Sequence, residues 1–178
     1  MGLLYFLIFA ACDDSFTQST EVGRKTFFDV KGYFNNEAQR LSSKGKARKI
    51  VATDGKQEER IIDCTDLAKE LALFAEADIN RPAWSDKYVA DTVYSEQHEL
   101  LHMQIVAVDE TMKTARIEID YSNREISRIL IENKSFSSMA YSSQFLVYEP
   151  KVGYSIESYQ KFSMRDDQKF QVIVRFLN

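Results

Sequence analysis

Ala115-Arg-Ile-Glu-Ile-Asp-Tyr121 places Ile117, Ile119 and Tyr121 on one side of an extended chain and Arg116, Glu118 and Asp120 on the other. A period of two marks a strand with one dry face and one wet face. The last segment repeats the pattern, with Phe170, Val172, Val174 and Phe176 alternating against Gln171, Ile173, Arg175 and Leu177. Between them lie Glu125–Asn133, Ser138–Tyr148 and Tyr154–Phe162, rich in Ile, Tyr, Phe, Val and Ser. Turn residues at 121–124, 149–153 and 165–167 separate these runs. Such spacing, roughly ten residues per unit, predicts an antiparallel meander of about six or seven strands from Lys87 to Asn178, curled into a curved sheet or half-barrel.

A sheet of that size needs cover on one face, and the upstream chain supplies it. Asp29 to Ser43 carries Val30, Tyr33, Phe34, Ala38 and Leu41 at helical spacing, with Asp29 as N-cap and Gly45 as a left-handed C-cap. Thr65 to Asp78 is a second helix, with Leu67, Leu71, Phe74, Ala75 and Ile79 on one face and Asp63 or Thr65 as cap. Pro82 disfavours helix at Arg81 and ends it. Between the helices, Ala47–Ala52 and Gln57–Ile62 flank Thr53-Asp54-Gly55-Lys56, where Asp-Gly signals a short hairpin. The expected class is α+β, a long meander covered by two helices with a hairpin between them.

The first residues point to the envelope. Gly2 to Ala11 is almost wholly apolar and Cys12 follows Ala10-Ala11. The run is too short to span a bilayer and has the length of a signal-peptide core. Ala-Ala-Cys resembles the lipobox of bacterial lipoproteins, which makes Cys12 the lipidated, palmitate-bearing residue. The n-region departs from that pattern, since Met1-Gly2 carries no Lys or Arg. The expected organisation is a lipoprotein signal peptide over 1–11, a lipidated polar tether over 12–25 and a single domain over 26–178. Asp13-Asp14 resembles a surface-export signal of such proteins. Cys64 is expected to be a small buried residue at the start of the second helix.

A chain of 178 residues is long enough for one sizeable core, and its net charge is −4. Lys44-Gly-Lys-Ala-Arg-Lys49 is the densest basic run, expected to be a solvated helix end and hairpin. With no larger basic cluster, nucleic acid is not an expected partner. No cofactor is expected either.

His98-Glu99-Leu-Leu-His102 matches the zincin pattern and holds both histidines of the chain. On a helix, His98 and His102 would share a face as zinc ligands, with Glu99 polarising the bound water for peptide hydrolysis. On a strand, residues four apart lie roughly 13 Å from each other, too far to share one ion. The flank favours the strand. Leu101, Met103, Ile105 and Ala107 alternate with His102, Gln104, Val106 and Val108, and Asp109–Lys113 turns the chain back toward Ala115. A zinc metallopeptidase is therefore the alternative reading.

The stretch Ala77-Asp-Ile-Asn-Arg-Pro-Ala-Trp84 with Asp86-Lys-Tyr88, and Tyr141-Ser-Ser, Tyr148-Glu-Pro and Gly153-Tyr-Ser-Ile-Glu-Ser158, resemble an uncharacterised family of Bacteroidetes-type lipoproteins. The resemblance covers Phe27 to the end and implies an envelope location, with no ligand or catalytic residue to carry over. The function expected is non-enzymatic binding or assembly at the outer membrane, through a lipid anchor. An apolar small molecule or an envelope protein would lie on the concave sheet face.

Overall fold

The computed structural model describes residues 27–43, 45–164 and 166–177. The expected signal peptide and tether, with Cys12, lie outside the described residues. Two helices, α1 (Val30–Ser42) and α2 (Ala68–Ala75), accompany nine strands. In chain order these are β1 (Lys46–Thr53), β2 (Lys56–Asp63), β3 (Tyr88–Tyr94), β4 (Leu100–Ala107), β5 (Thr114–Ser122), β6 (Glu125–Phe136), β7 (Ala140–Glu149), β8 (Gly153–Phe162) and β9 (Gln168–Phe176). They form one antiparallel sheet in the order β2-β1-β9-β8-β7-β6-β5-β4-β3. The sheet is open, with β2 and β3 as its edges.

The second half is the expected meander, β3 through β9, each strand beside the next. The sheet as a whole has nine strands, more than the six or seven expected, because the β1–β2 hairpin joins these seven. The hairpin at Asp54-Gly55 is not a separate piece, because β1 pairs along β9 from Ala47↔Phe176 to Thr53↔Phe170 and extends the sheet. A last strand otherwise leaves one row of backbone donors and acceptors open, and β1 satisfies it.

Register explains the core. Two transverse rows cross the helix-facing side. One runs Ile105, Ile117, Ile131, Leu146, Ile156, Val172 and Val51. The other runs Met103, Ile119, Ile129, Tyr148, Tyr154, Val174 and Lys49. Onto these rows α1 lays Val30, Phe34 and Leu41, while α2 lays Leu71 and Phe74. Phe34 and Phe74 meet at 4.8 Å between ring centres, and each also contacts Tyr148. Each Ile, Leu or Phe so buried contributes about 1.5–3 kcal/mol of transfer free energy, which is what fixes the helices to the sheet.

Helix ends differ from the expected caps. Asp29 does cap α1, its Oδ1 accepting from Gly32 N at 2.9 Å. Gly45 is not in the left-handed region, and α1 ends on Ser43 in right-handed geometry. The second helix starts later than Thr65: Cys64–Leu67 forms a tighter 3-10 turn, and Asp63 makes no side-chain cap there. Cys64 is buried, as expected.

Candidate functional site

The expected concave site beneath the helices is filled. Phe34, Phe74, Tyr148 and Tyr154 pack ring against ring where the two helices cover the sheet. Two polar groups hold this layer together. The Tyr148 hydroxyl donates to Glu37 of α1, and Glu37 is bridged by Arg40, whose Nη2 also reaches the Pro150 carbonyl at 3.0 Å. The Tyr154 hydroxyl donates to Glu70 at 2.9 Å, and Glu70 pairs with Lys49. Burial, then the neighbouring Glu37, raises the Tyr148 pKa; burial, then Glu70, raises that of Tyr154. Lys49 thus departs from the solvated basic run expected of residues 44–49. Its side chain is 11% exposed because the β1 register turns it onto the helix-facing row beside Glu70.

Residues 98–102 do not form the helix that a zincin requires. His98 sits in a turn with φ of 60°, its N–H donating to the Ser95 carbonyl at 3.0 Å. β4 begins at Leu100, and His102 lies within it as the register partner of Asp120, with Nδ1 2.7 Å from Asp120 Oδ1. Glu99 pairs with Arg124 at 2.8 Å. Asp120 also meets Arg128 at 3.3 Å, so His102 is part of a surface charge row. Among the described residues, no three His, Cys, Asp or Glu side chains gather closely enough to hold a metal ion.

A recess of about 750 Å³ lies on the sheet near the β1–β2 and β8–β9 turns. Two rows of the helix-free face form its floor. Phe145, Glu157, Gln171 and Ala52 make one, and Ser143, Tyr159 and Lys169 the other. The β1–β2 turn brings Asp54 and Gly55 to the rim, and Asp167 comes from the β8–β9 side.

The polar groups of the floor are ordered by one another. Gln171 Nε2 donates to Glu157 Oε1 at 2.8 Å, and the Tyr159 hydroxyl donates to Asp167. That bond holds the Tyr159 proton, raising its pKa above the usual phenol range. Lys169 Nζ lies 5.9 Å from the Tyr159 ring centre. Phe145 stands beside them with 37% of its surface exposed. The arrangement offers a flat apolar ring next to fixed donors and acceptors, and it contains no enclosed apolar chamber.

Six aromatic residues, Tyr141, Phe145, Tyr148, Tyr154, Tyr159 and Phe162, lie on β7 and β8. The structure separates them: Phe145 and Tyr159 face the recess, whereas Tyr148 and Tyr154 are core. Alternation within β7 and β8 carries that signal, since partners of odd and even position point to opposite faces. Asp54 and Asp167 were missed as rim residues, because only the pairing of β1 with β9 brings their turns together.

No family model matches the chain, and no curated protein does. Among solved structures it is similar to the S-type phycobiliprotein lyase CPES from Guillardia theta, with 13% identity and a TM-score of 0.28 over 85% of this chain and 94% of that one. A likeness that faint says nothing of what this chain binds. Among the described residues, no helix is long and apolar enough to cross a membrane.

Proposed function

We propose that this chain is a non-enzymatic binding protein held at the bacterial outer membrane by a lipid on Cys12. The groove over Phe145, Glu157, Tyr159 and Gln171 is its ligand site. One observation carries the binding half: an exposed ring beside side chains whose hydrogen bonds already fix their positions. Preordered polar groups lose little freedom when a ligand docks, so they favour recognition. The anchor half rests on Ala10-Ala11-Cys12 and the apolar run before it.

The ligand that fits is polar with a flat apolar face, as in a saccharide chain. Such a ligand stacks on Phe145 while its hydroxyls reach Glu157, Gln171, Ser143 and Asp167. An acyl chain finds no enclosed room there, because the helix-covered face is filled by Phe34, Phe74 and the two tyrosines. A peptide segment of an envelope partner is the competing occupant.

Titration calorimetry of the full chain carrying Cys12→Ala, against neutral envelope oligosaccharides, tests the site. Phe145→Ala and Glu157→Ala should each weaken binding by about tenfold, the loss of one stacked ring or one charge-assisted hydrogen bond. Binding of fatty acid with no response to either substitution would overturn the groove assignment.

A further inference from the structure

We infer that one end of the sheet is a membrane-contacting tip, formed by the β6–β7 and β8–β9 turns and inserting Phe136, Met139 and Met164 into the bilayer. Phe136 is 64% exposed, Met139 67% and Met164 94%. Solvent exposure of three large apolar side chains within two adjoining turns is costly unless something covers them. The turns are joined, since Ser163 N donates to the Met139 carbonyl at 3.1 Å. The Phe136 and Tyr141 rings pack at 5.0 Å across the base of the hairpin. The tip is thus a built surface of two turns.

Its chemistry suits lipid. No Asp, Glu, Lys or Arg occurs between Lys134 and Glu149, so the whole hairpin end is uncharged. Lys134 is neutralised by Glu132 at 2.9 Å. In the sequence of the other turn, Lys161, the register partner of Tyr141, and Arg165 are offset by Asp166 and Asp167. Charges around the tip therefore balance, and insertion is apolar, without need of anionic headgroups.

Topology supplies the occupant. Phe27, the first described residue, donates its N–H to Asn80 Oδ1 at 2.9 Å and packs its ring on Tyr88, the first residue of β3. The Tyr88 hydroxyl donates to the carbonyl of Thr114 at the start of β5, and Thr114 pairs with Asn133 near the end of β6. The chain thus enters the domain at the same sheet end as the Phe136–Met139 hairpin. Residues 12–26 span at most about 50 Å when fully extended, so a lipid on Cys12 would keep this end of the sheet within that distance of the membrane. That last link rests on the Cys12 anchor proposed above, whereas the exposed tip does not.

The test separates the two. The mature chain, starting at residue 12 and carrying Cys12→Ala, lacks both the apolar run over 1–11 and the lipidated residue, and is floated with vesicles of phosphatidylcholine and phosphatidylethanolamine. It should bind, with little change on adding salt. The combined substitution of Phe136, Met139 and Met164 by Ser should lower partition by at least about tenfold, from lost apolar insertion. Ser138→Glu, a charge placed in the exposed turn, should do the same while removing no apolar group. Melting temperatures equal to the parent's would show that both variants fold.

Vesicle binding unchanged in both variants, or absent from the parent, would overturn the tip. So would a dimer in sedimentation that the serine variant abolishes, because the patch would then cover itself. Palmitate labelling of the wild-type chain in cells tests Cys12 separately. A chain that floats but takes no palmitate would keep the tip and lose the anchor.

Discussion

Tyr148 and Tyr154 are register partners across β7 and β8, and they donate their hydroxyls to different helices: Tyr148 to Glu37 of α1, Tyr154 to Glu70 of α2. Each carboxylate also meets a cation, Arg40 or Lys49, so two equivalent polar pins sit side by side in an otherwise apolar layer. Helix position is set by these pins as well as by packing.

Breaking a pin should cost more than replacing it. Glu70→Ala leaves Lys49 on the helix-facing row without its carboxylate and should destabilise by about 3 kcal/mol. Replacing the pair together, Lys49→Met with Glu70→Leu, should recover most of that loss. Urea unfolding of the two variants measures the difference. Equal losses in both would mean that the pin is solvated and of little weight.

Alkali should unfold this protein through the same pair. The folded pKa values of Tyr148 and Tyr154 are raised, first by burial. Unfolded tyrosine ionises near pH 10, so above about that value the unfolded chain holds fewer protons than the folded one. Stability is fully present below about pH 10 and falls above it, by about 1.4 kcal/mol per pH unit for each tyrosine. Urea midpoints measured across that range should show the fall, and Tyr148→Phe should lessen the slope by one tyrosine's share.

Gly153 and Gly55 both have positive φ but should respond differently to alanine. At Gly153 a Cβ would stand 1.9 Å from the Val174 carbonyl oxygen on β9. The β8–β9 pairing must open to admit it, at a cost of at least about 3 kcal/mol. At Gly55, φ is 84° with open space around the added carbon, so only backbone strain of about 1–2 kcal/mol is expected. Thermal unfolding of the two alanine variants gives the order directly.

The edge strand β3 is guarded by one residue. Asp91 Oδ1 accepts the N–H of Thr92 at 2.8 Å, occupying a donor on the open side of the sheet. The other edge, β2, carries Lys56, Glu58, Glu59, Arg60 and Asp63, while β3 has Asp91 as its single charge. Asp91→Val should therefore promote edge-to-edge association, seen as concentration-dependent light scattering. A variant as monodisperse as the parent would show that another feature protects the edge.

Much of the architecture was legible in local pattern. Alternation at 115–121 and 170–176 marks strands because side chains of a strand point to opposite faces, a property of each segment alone. The same logic put His102 on a strand, which removes the helical face that His98 and His102 would need. Helical spacing in 29–43 placed Val30, Phe34 and Leu41 toward the sheet.

Tertiary structure alone decided the rest. That β1 joins β9 depends on which backbone edge is left open after the meander has formed, and no local pattern encodes it. Lys49 reads as one more surface cation in a basic run, yet the β1–β9 register sets it beside Val174 and within reach of Glu70. The groove arises the same way, from turns far apart in the chain that strand pairing brings together. Periodicity fixes which face a residue takes; only the pairing of distant segments fixes what it meets there.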